Sequence, residues 1–218
     1  MTDLTLFDYP KSSAAYRVRI ALNLKELPAE QRFLNLLDGE HHGEEYLSLN
    51  PAGLVPSLKH DDALFSQSLA IIEYLDETFP QKPLLPSDPH GRAQVRALAQ
   101  YIACEMHPIL NVRILKALTE IAGLDQPGIK TWYAHWIKTG LTVFEATLAQ
   151  KKCTGDFCYG DEPGLADACL APQVFNALRW KCPIDEYTII NKIMANINAH
   201  PAFIAAHPKN QDFDPSAN

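Results

Sequence analysis

Two adjacent hydroxyl side chains, Ser12 and Ser13, stand where an apolar strand gives way to a helix. Residues 4–8 alternate as a strand does, and the turn after them ends in serine, which favours the N-cap position. Unpaired backbone N–H groups and the positive end of the helix dipole stabilise an anion there, including a thiolate carried by a ligand. Simple capping is the rival interpretation, and residue type alone favours it.

Two later segments offer groups that suit a peptide-like ligand. Val55 and Pro56 lie at the start of a predicted strand, where a cis bond would turn the Val55 amide and carbonyl outward. An ordinary trans proline at a strand start is the commoner arrangement. Gln67 and Ser68 open another predicted helix with side chains suited to a carboxylate, although capping again accounts for them.

The elements that would position these residues alternate in type along the first part of the chain. Hydrophobic periodicity and turn residues predict the order β-α-β-α-β-β-α. The predicted strands cover residues 4–8, 32–36, 55–59 and 63–65, and the predicted helical segments cover residues 13–25, 44–47 and 68–78. This order indicates a small α/β domain.

Four prolines between residues 79 and 91 suit a connector between two domains. We predict an α/β domain at 1–82, a linker at 83–91 and an all-helical domain at 92–218. Predicted helices in the second domain cover residues 92–121, 129–149, 165–180 and 187–198. Residues 212–218 form a short, polar segment at the C-terminal end, and we expect it to be loosely held.

Composition narrows the classes of function. The 218 residues are 47% hydrophobic and 21% charged, which is typical of a globular chain long enough for two domains. A net charge of −7 would repel a polyanion, so we expect no nucleic-acid partner. No apolar run suits a membrane span or a signal peptide, which favours a cytoplasmic protein. The five cysteines lack zinc-site spacing, so we expect reduced, mostly buried thiols and no metal.

In their order and spacing, the three segments resemble the glutathione site of a glutathione transferase. The similarity to the zeta class spans nearly the whole chain. Three segments carry it: Ser-Ser-Ala-Ala-Tyr-Arg-Val-Arg-Ile-Ala-Leu from Ser12, Asn-Pro from Asn50 with Val-Pro from Val55, and Gln-Ser-Leu-Ala-Ile-Ile-Glu-Tyr-Leu from Gln67. The resemblance implies a thioredoxin-like N-terminal domain, an all-α C-terminal domain and a homodimer.

The resemblance also implies which residues hold glutathione. Ser12, with Ser13 beside it, would donate a hydrogen bond to the glutathione sulfur. Val55 with cis-Pro56 would pair with the cysteinyl backbone. Gln67 and Ser68 would hold the γ-glutamyl end. Near the glycyl end the family has a side chain where His41 or His42 falls in this sequence. A solvated loop residue is an equally good interpretation of either histidine.

Candidates for binding a second substrate lie mostly in the helical half. By resemblance, Arg179 receives a substrate carboxylate, which a guanidinium fork does well, whereas residue type alone favours a surface arginine. Arg17, His107, Asn111 and Arg113 are further candidates. The i, i+4 spacing predicts that His107 and Asn111 share a helix face. A buried, hydrogen-bonded face is an equally good interpretation.

The sequence departs from the zeta pattern at two positions beside the serines. Ala14 stands where the class often has cysteine, and Tyr16 stands where it typically has tryptophan. Isomerisation needs only the thiolate of glutathione, so the reaction remains possible without a protein cysteine at position 14. In the helical half, Gly164 replaces a hydroxyl cap, and Asp167 is expected to bind the first N–H groups of a helix in a structural role.

The resemblance therefore implies a glutathione-dependent cis–trans isomerase of a small dicarboxylic substrate, a β-diketo acid such as maleylacetoacetate. That activity belongs to tyrosine and phenylalanine catabolism. Isomerisation of maleylpyruvate and general glutathione conjugation are alternatives that share the thiolate. A binding protein of the same fold without catalysis is the alternative from another class.

Overall fold

The first seven strands and α-helices occur in the order β-α-β-α-β-β-α that the sequence predicts. The computed structural model describes residues 3–213. The elements are β1 (Leu4–Asp8), α1 (Ser13–Leu24), β2 (Glu30–Phe33), a 3₁₀ turn (Glu40–His42), α2 (Glu44–Leu49), β3 (Ser57–His60), β4 (Ala63–Ser66) and α3 (Ser68–Thr78). The predicted order is confirmed, and only the second and third strands are displaced along the chain from their predicted bounds.

The four strands form one mixed sheet in the order β2-β1-β3-β4. β1 pairs in parallel with β2 and antiparallel with β3, and β3 pairs with β4 through the predicted hairpin. Every residue of β1 is buried, as a central strand requires. α1 and α3 pack against each other beside the sheet. The thioredoxin-like fold predicted for the N-terminal domain is thereby confirmed.

The described residues form two compact units, one of residues 3–84 with 199–213 and the other of residues 85–198. The last fifteen described residues thus belong to the first unit, whereas the sequence analysis placed them in the helical domain. They include α10 (Pro201–Ala206), which the sequence analysis missed, and Phe203 of this helix is buried. α10 packs on α1, so apolar burial explains the assignment. Residues 214–218, part of the tail expected to be loosely held, lie outside the described residues.

The second unit is mostly helical, as predicted, but its first helix is interrupted. Instead of one helix over 92–121, the chain forms α4 (Pro89–Gln100), a π-helical stretch (Tyr101–Met106), α5 (His107–Ile109) and α6 (Val112–Ala122). Pro108 lacks a backbone donor, and Asn111 caps a new helix by accepting a hydrogen bond from Arg113 N at 3.1 Å. The prediction of a continuous helix is therefore wrong.

The remaining helices of the second unit follow their predictions closely. They are α7 (Gln126–Gln150), α8 (Leu165–Arg179) and α9 (Thr188–Ala199). α8 is buried over most of its length and packs against α4. No helix within 3–213 has the length and apolarity that a membrane span requires.

Candidate functional site

Ser12 is the N-cap of α1, at the end of a tight turn that follows β1. Its N–H donates to Tyr9 O at 2.9 Å, which closes the turn, and its Oγ accepts from Ala15 N at 3.2 Å. The capping interpretation is therefore correct. Capping uses a lone pair of the hydroxyl oxygen and leaves the hydroxyl proton able to donate to a bound anion. Ser12 is half-buried, so capping and anion binding are compatible in one side chain.

Ser13 differs from its neighbour in exposure. It is the first residue of α1, and its side chain is buried. The half-buried hydroxyl of Ser12 is thus the more accessible of the two. The structure separates a pair that residue type alone could not rank.

Arg17, which the sequence analysis offered as a candidate for binding the second substrate, is buried. Its Nη1 donates to Ser68 Oγ at 3.2 Å, which joins α1 to the start of α3. The bond leaves the Ser68 hydroxyl proton able to donate to a ligand acceptor. Two of the predicted binding residues are thus in direct contact.

Arg19 is buried behind the turn that carries Ser12. Its Nη1 donates to both carboxylate oxygens of Asp8, at 2.7 and 2.9 Å, and its Nη2 donates to Pro10 O at 2.9 Å. Burial raises the pKa of Asp8, and the Arg19 guanidinium opposes that rise. Sequence analysis missed these roles because spacing does not reveal partners at the end of a neighbouring strand.

The Val55-Pro56 peptide bond is cis. The preceding carbonyl, Leu54 O, accepts from Tyr46 Oη at 2.7 Å and from Asn50 Nδ2 at 2.9 Å. Within residues 3–213, no hydrogen bond engages the Val55 amide or carbonyl. Both groups are therefore able to pair with a peptide backbone. Asn50 stood in the resembling segment, but nothing in the sequence marked Tyr46.

Gln67 precedes α3 with an unusual backbone conformation, φ +70° and ψ 114°. A positive φ in a residue other than glycine costs on the order of 1–3 kcal/mol and is found preferentially at ligand sites. Its side chain is exposed and makes no capping hydrogen bond, so the simple-capping interpretation is wrong for this residue. Exposed Gln67 and buried Ser68 together present polar groups at the start of α3.

His41 and His42 lie in the 3₁₀ turn, with their ring centroids 3.9 Å apart. His41 is half-buried and His42 is exposed. Burial, and then the neighbouring His42, lower the pKa of His41, so its ring is neutral at pH 7. Within the described part of the chain, the buried His41 Nδ1 has no hydrogen-bond partner.

Arg179 is the last residue of α8, and it is exposed. The next residue, Trp180, stacks on Tyr133 with ring centroids 4.3 Å apart and an interplanar angle of 11°. Burial raises the pKa of Tyr133, while the Arg179 guanidinium lowers it. Arg179 therefore presents a positive charge beside a packed aromatic pair, where a carboxylate could reach it.

The helix interruption separates His107 from Asn111. His107 begins α5, which ends at Ile109, while Asn111 caps α6. The two residues therefore do not share one continuous helix face, and that prediction is wrong. The Oδ1 atom of Asn111 is already engaged in capping, and Arg113 is exposed.

Asp167 is fully buried at the start of α8. Its Oδ1 accepts from Cys158 N at 2.8 Å, and its Oδ2 accepts from Gly164 N at 2.9 Å. Burial raises the pKa of Asp167, and these two N–H donors oppose the rise. The carboxylate fixes the loop before α8, as its predicted structural role requires.

All five cysteines are free thiols, and three of them are buried. Across residues 3–213, no cluster of three or more His, Cys, Asp or Glu side chains could hold a metal ion. The candidate groups of the first unit are instead hydroxyl, amide and backbone groups, several of them at helix starts, which suit an organic anion.

A mixed four-stranded sheet with a serine at the start of its first helix, followed by a helical unit, is the architecture of glutathione transferases. Residues 6–83 match the family described as the glutathione S-transferase N-terminal domain. The chain is 45% identical to a probable maleylacetoacetate isomerase of Vibrio cholerae over 97% of its own length and 98% of that protein's length. The chain belongs to the glutathione S-transferase family, within the zeta class.

Two solved structures are similar to this chain over nearly its whole length. A maleyl pyruvate isomerase, described as a bacterial glutathione S-transferase of the zeta class, is 40% identical with a TM-score of 0.93 and covers 95% of this chain and 98% of its own. A maleylacetoacetate isomerase from Methylobacterium extorquens, with bound malonate and glutathione, is 38% identical with a TM-score of 0.92. The match covers 95% of this chain and 97% of that one.

Proposed function

We propose that this protein is a glutathione-dependent cis–trans isomerase that converts maleylacetoacetate to fumarylacetoacetate in tyrosine and phenylalanine catabolism. The observation that carries the proposal is the half-buried Ser12 hydroxyl at the start of α1, with its proton able to meet a thiolate. The names of the relatives support the choice of substrate.

Glutathione binds to the first unit, at the residues that the resemblance of this sequence to the zeta class implies. The Ser12 hydroxyl and the N-terminus of α1 stabilise the thiolate, and Ser13 is the buried first residue of that helix. The Val55 amide and carbonyl pair with the cysteinyl backbone next to Pro56. Gln67 and Ser68 bind the γ-glutamyl end. His41 or His42 binds the glycyl carboxylate.

The reaction needs no net redox change and no second cofactor. The glutathione thiolate adds to one carbon of the cis double bond, and the displaced electron pair moves onto the conjugated carbonyl as an enolate. Rotation about the new single bond follows. The enolate then collapses and expels the thiolate, which leaves the trans double bond and intact glutathione. Positive charge near the enolate and the carboxylates lowers the barrier.

Substrate carboxylates are bound chiefly by Arg179, whose exposed guanidinium can make two parallel hydrogen bonds. His107 and Asn111 remain substrate candidates on separate helical segments, with Asn111 offering its side-chain amide N–H groups. Arg17 was proposed for the substrate as well. Because Arg17 is buried and donates a hydrogen bond to Ser68, we assign it to the glutathione site instead.

Isomerisation of maleylpyruvate is the second candidate reaction. It uses the same thiolate, and a relative of this name matches nearly the whole chain at 40% identity. The two substrates share the double bond to which the thiolate adds and differ only in the group beyond the conjugated carbonyl. The glutathione site of the first unit therefore does not distinguish between them. Comparison of kcat/KM for maleylacetoacetate, maleylpyruvate and a general electrophile ranks the three activities.

The test of the proposal is conversion of maleylacetoacetate with and without glutathione. We expect turnover only when glutathione is present, with no consumption of glutathione. Turnover without glutathione contradicts the thiolate mechanism. Retention on immobilised glutathione without turnover of any of these substrates supports the non-catalytic alternative instead.

The proposal includes a homodimer in the cytoplasm. Its support is the resemblance to the class, together with large apolar side chains that α6 leaves exposed within this chain, Val112 at 73% and Ile121 at 86%. Light scattering should give a mass twice the 24.3 kDa of the chain. A monomeric mass at working concentration contradicts this part of the proposal.

A further inference from the structure

Residues 199–213, here named the C-terminal brace, contact three residues that lie in the Ser12 turn or on α1 just after it. Arg19 Nε donates to Ala206 O at 3.0 Å. The ring of His207 lies 6.1 Å from that of Tyr16, and the ring of Phe213 lies 5.9 Å from that of Tyr9. The turn begins at Tyr9, and Tyr16 and Arg19 lie on α1 just after it.

The fork of Arg19 binds two backbone carbonyls and one carboxylate, which lie on three separate segments of the chain. Besides Ala206 O, it reaches Pro10 O, inside the Ser12 turn, and the carboxylate of Asp8 at the end of β1. All of these groups are buried or part-buried, so removing the guanidinium would deprive three acceptors of this donor. The planar fork of arginine presents its N–H groups in fixed directions from three nitrogens, whereas a lysine ammonium presents its three N–H groups from a single nitrogen on a flexible stem.

We propose that Arg19 is a positioning residue for Ser12 and that, through it, the C-terminal brace is a working part of the glutathione site. This inference rests on the proposed function, because it assigns Arg19 to the placement of the hydroxyl that stabilises the thiolate. Through the Asp8 carboxylate at the end of β1 and the Pro10 carbonyl inside the turn, Arg19 fixes the turn relative to α1. The brace supplies the third point, Ala206 O, which fixes the guanidinium plane.

The central experiment titrates the thiol of bound glutathione by the ultraviolet absorbance of its thiolate. In Arg19→Lys, the pKa of the bound thiol should rise by about one pH unit relative to the native protein, because the hydroxyl is no longer held in place. kcat at neutral pH should fall about tenfold and recover at higher pH. KM for glutathione should change less, since Gln67, Ser68 and Val55 are untouched.

Two control variants separate positioning from loss of stability. Asn23→Ala removes another hydrogen bond between α1 and α10, the one to Ala202 O, and makes no contact with the turn. Lys25→Met breaks a second buried ion pair at the end of α1, with Asp76. Both should leave the pKa of the bound thiol at the native value. An equal rise in either control overturns the positioning role.

The native protein provides a second measurement should Arg19→Lys fail to fold. Glutathione binding should slow hydrogen exchange at the α10 amides, including Phe203 N and Ile204 N, about threefold or more, since the brace is tied to the turn. Unchanged exchange there overturns the inference.

Failure of the inference and failure of the proposed function give different results. A native pKa in Arg19→Lys, with a raised pKa in Ser12→Ala, overturns only the inference. A native pKa in Ser12→Ala overturns the proposed function itself.

Discussion

The two units build their candidate sites from different materials. In the first unit, the groups that can meet glutathione are a helix cap, helix starts and a backbone amide and carbonyl, held by buried partners such as Arg17 and Asn50. In the second unit, Arg179 is an exposed side chain at a helix end. The first site depends on local backbone shape together with a few side chains such as Ser12, and the second depends on side-chain identity alone.

Because of this difference, we expect the first site to tolerate Ala14 and Tyr16 at positions where the zeta class often has cysteine and typically has tryptophan. Neither change removes the Ser12 cap or the start of α1. Burial raises the pKa of Tyr16 to about 12, so its hydroxyl stays protonated at neutral pH and adds no charge near the turn. We therefore expect binding of the thiol to survive both departures from the zeta pattern.

The largest expected effect concerns the buried carboxylate of the second unit. Asp167→Ala leaves the N–H groups of Cys158 and Gly164 without their acceptor, which should lower the free energy of unfolding by about 3 kcal/mol. Urea unfolding measures this loss, with the exposed Glu162→Ala as control. A loss as small as in that control would mean that the second unit also tolerates changes in its buried polar side chains.

Ser12→Ala should lower kcat/KM about a hundredfold, equivalent to about 2.7 kcal/mol, because the thiolate loses its hydroxyl donor. Loss of a cap also costs about 1 kcal/mol of stability. Asp125→Ala is the matched control, since Asp125 caps α7 by accepting from Gly128 N at 2.8 Å. Equal effects of the two variants on kcat/KM would reduce the role of Ser12 to capping.

Arg179→Ala should raise KM for the dicarboxylic substrate about tenfold and leave the affinity for glutathione unchanged, since one charge-assisted interaction is lost. Lys138→Ala removes one exposed positive charge from the same unit and serves as control. If glutathione affinity falls as much as substrate affinity in Arg179→Ala, the assignment of the two ligands to separate residues is wrong.

The smallest expected effect distinguishes the two histidines. His41→Ala should weaken glutathione binding about threefold, since a neutral imidazole donates one hydrogen bond to the glycyl carboxylate. His42→Ala should have less effect, because the His42 ring is exposed and less well fixed. Calorimetry of glutathione binding measures both variants, and a larger loss in His42→Ala assigns the contact to that residue instead.

Sequence patterns predicted the first unit well because its signals are local. Strand alternation, the serine cap and the hairpin each occupy a few neighbouring residues. The partners of Arg19 could not be predicted, since Asp8 and Ala206 lie on other elements and meet it only after folding. In the second unit, apolar periodicity continues across residues 101–111, and it concealed the interruption that Pro108 and Asn111 produce.

The account depends on an anionic sulfur beside Ser12, and titration of the bound glutathione thiol tests it most directly. We predict a pKa well below that of free glutathione in the native protein, and a rise of about one pH unit or more in Ser12→Ala. A thiol that titrates in the native complex as it does in free solution would contradict the account.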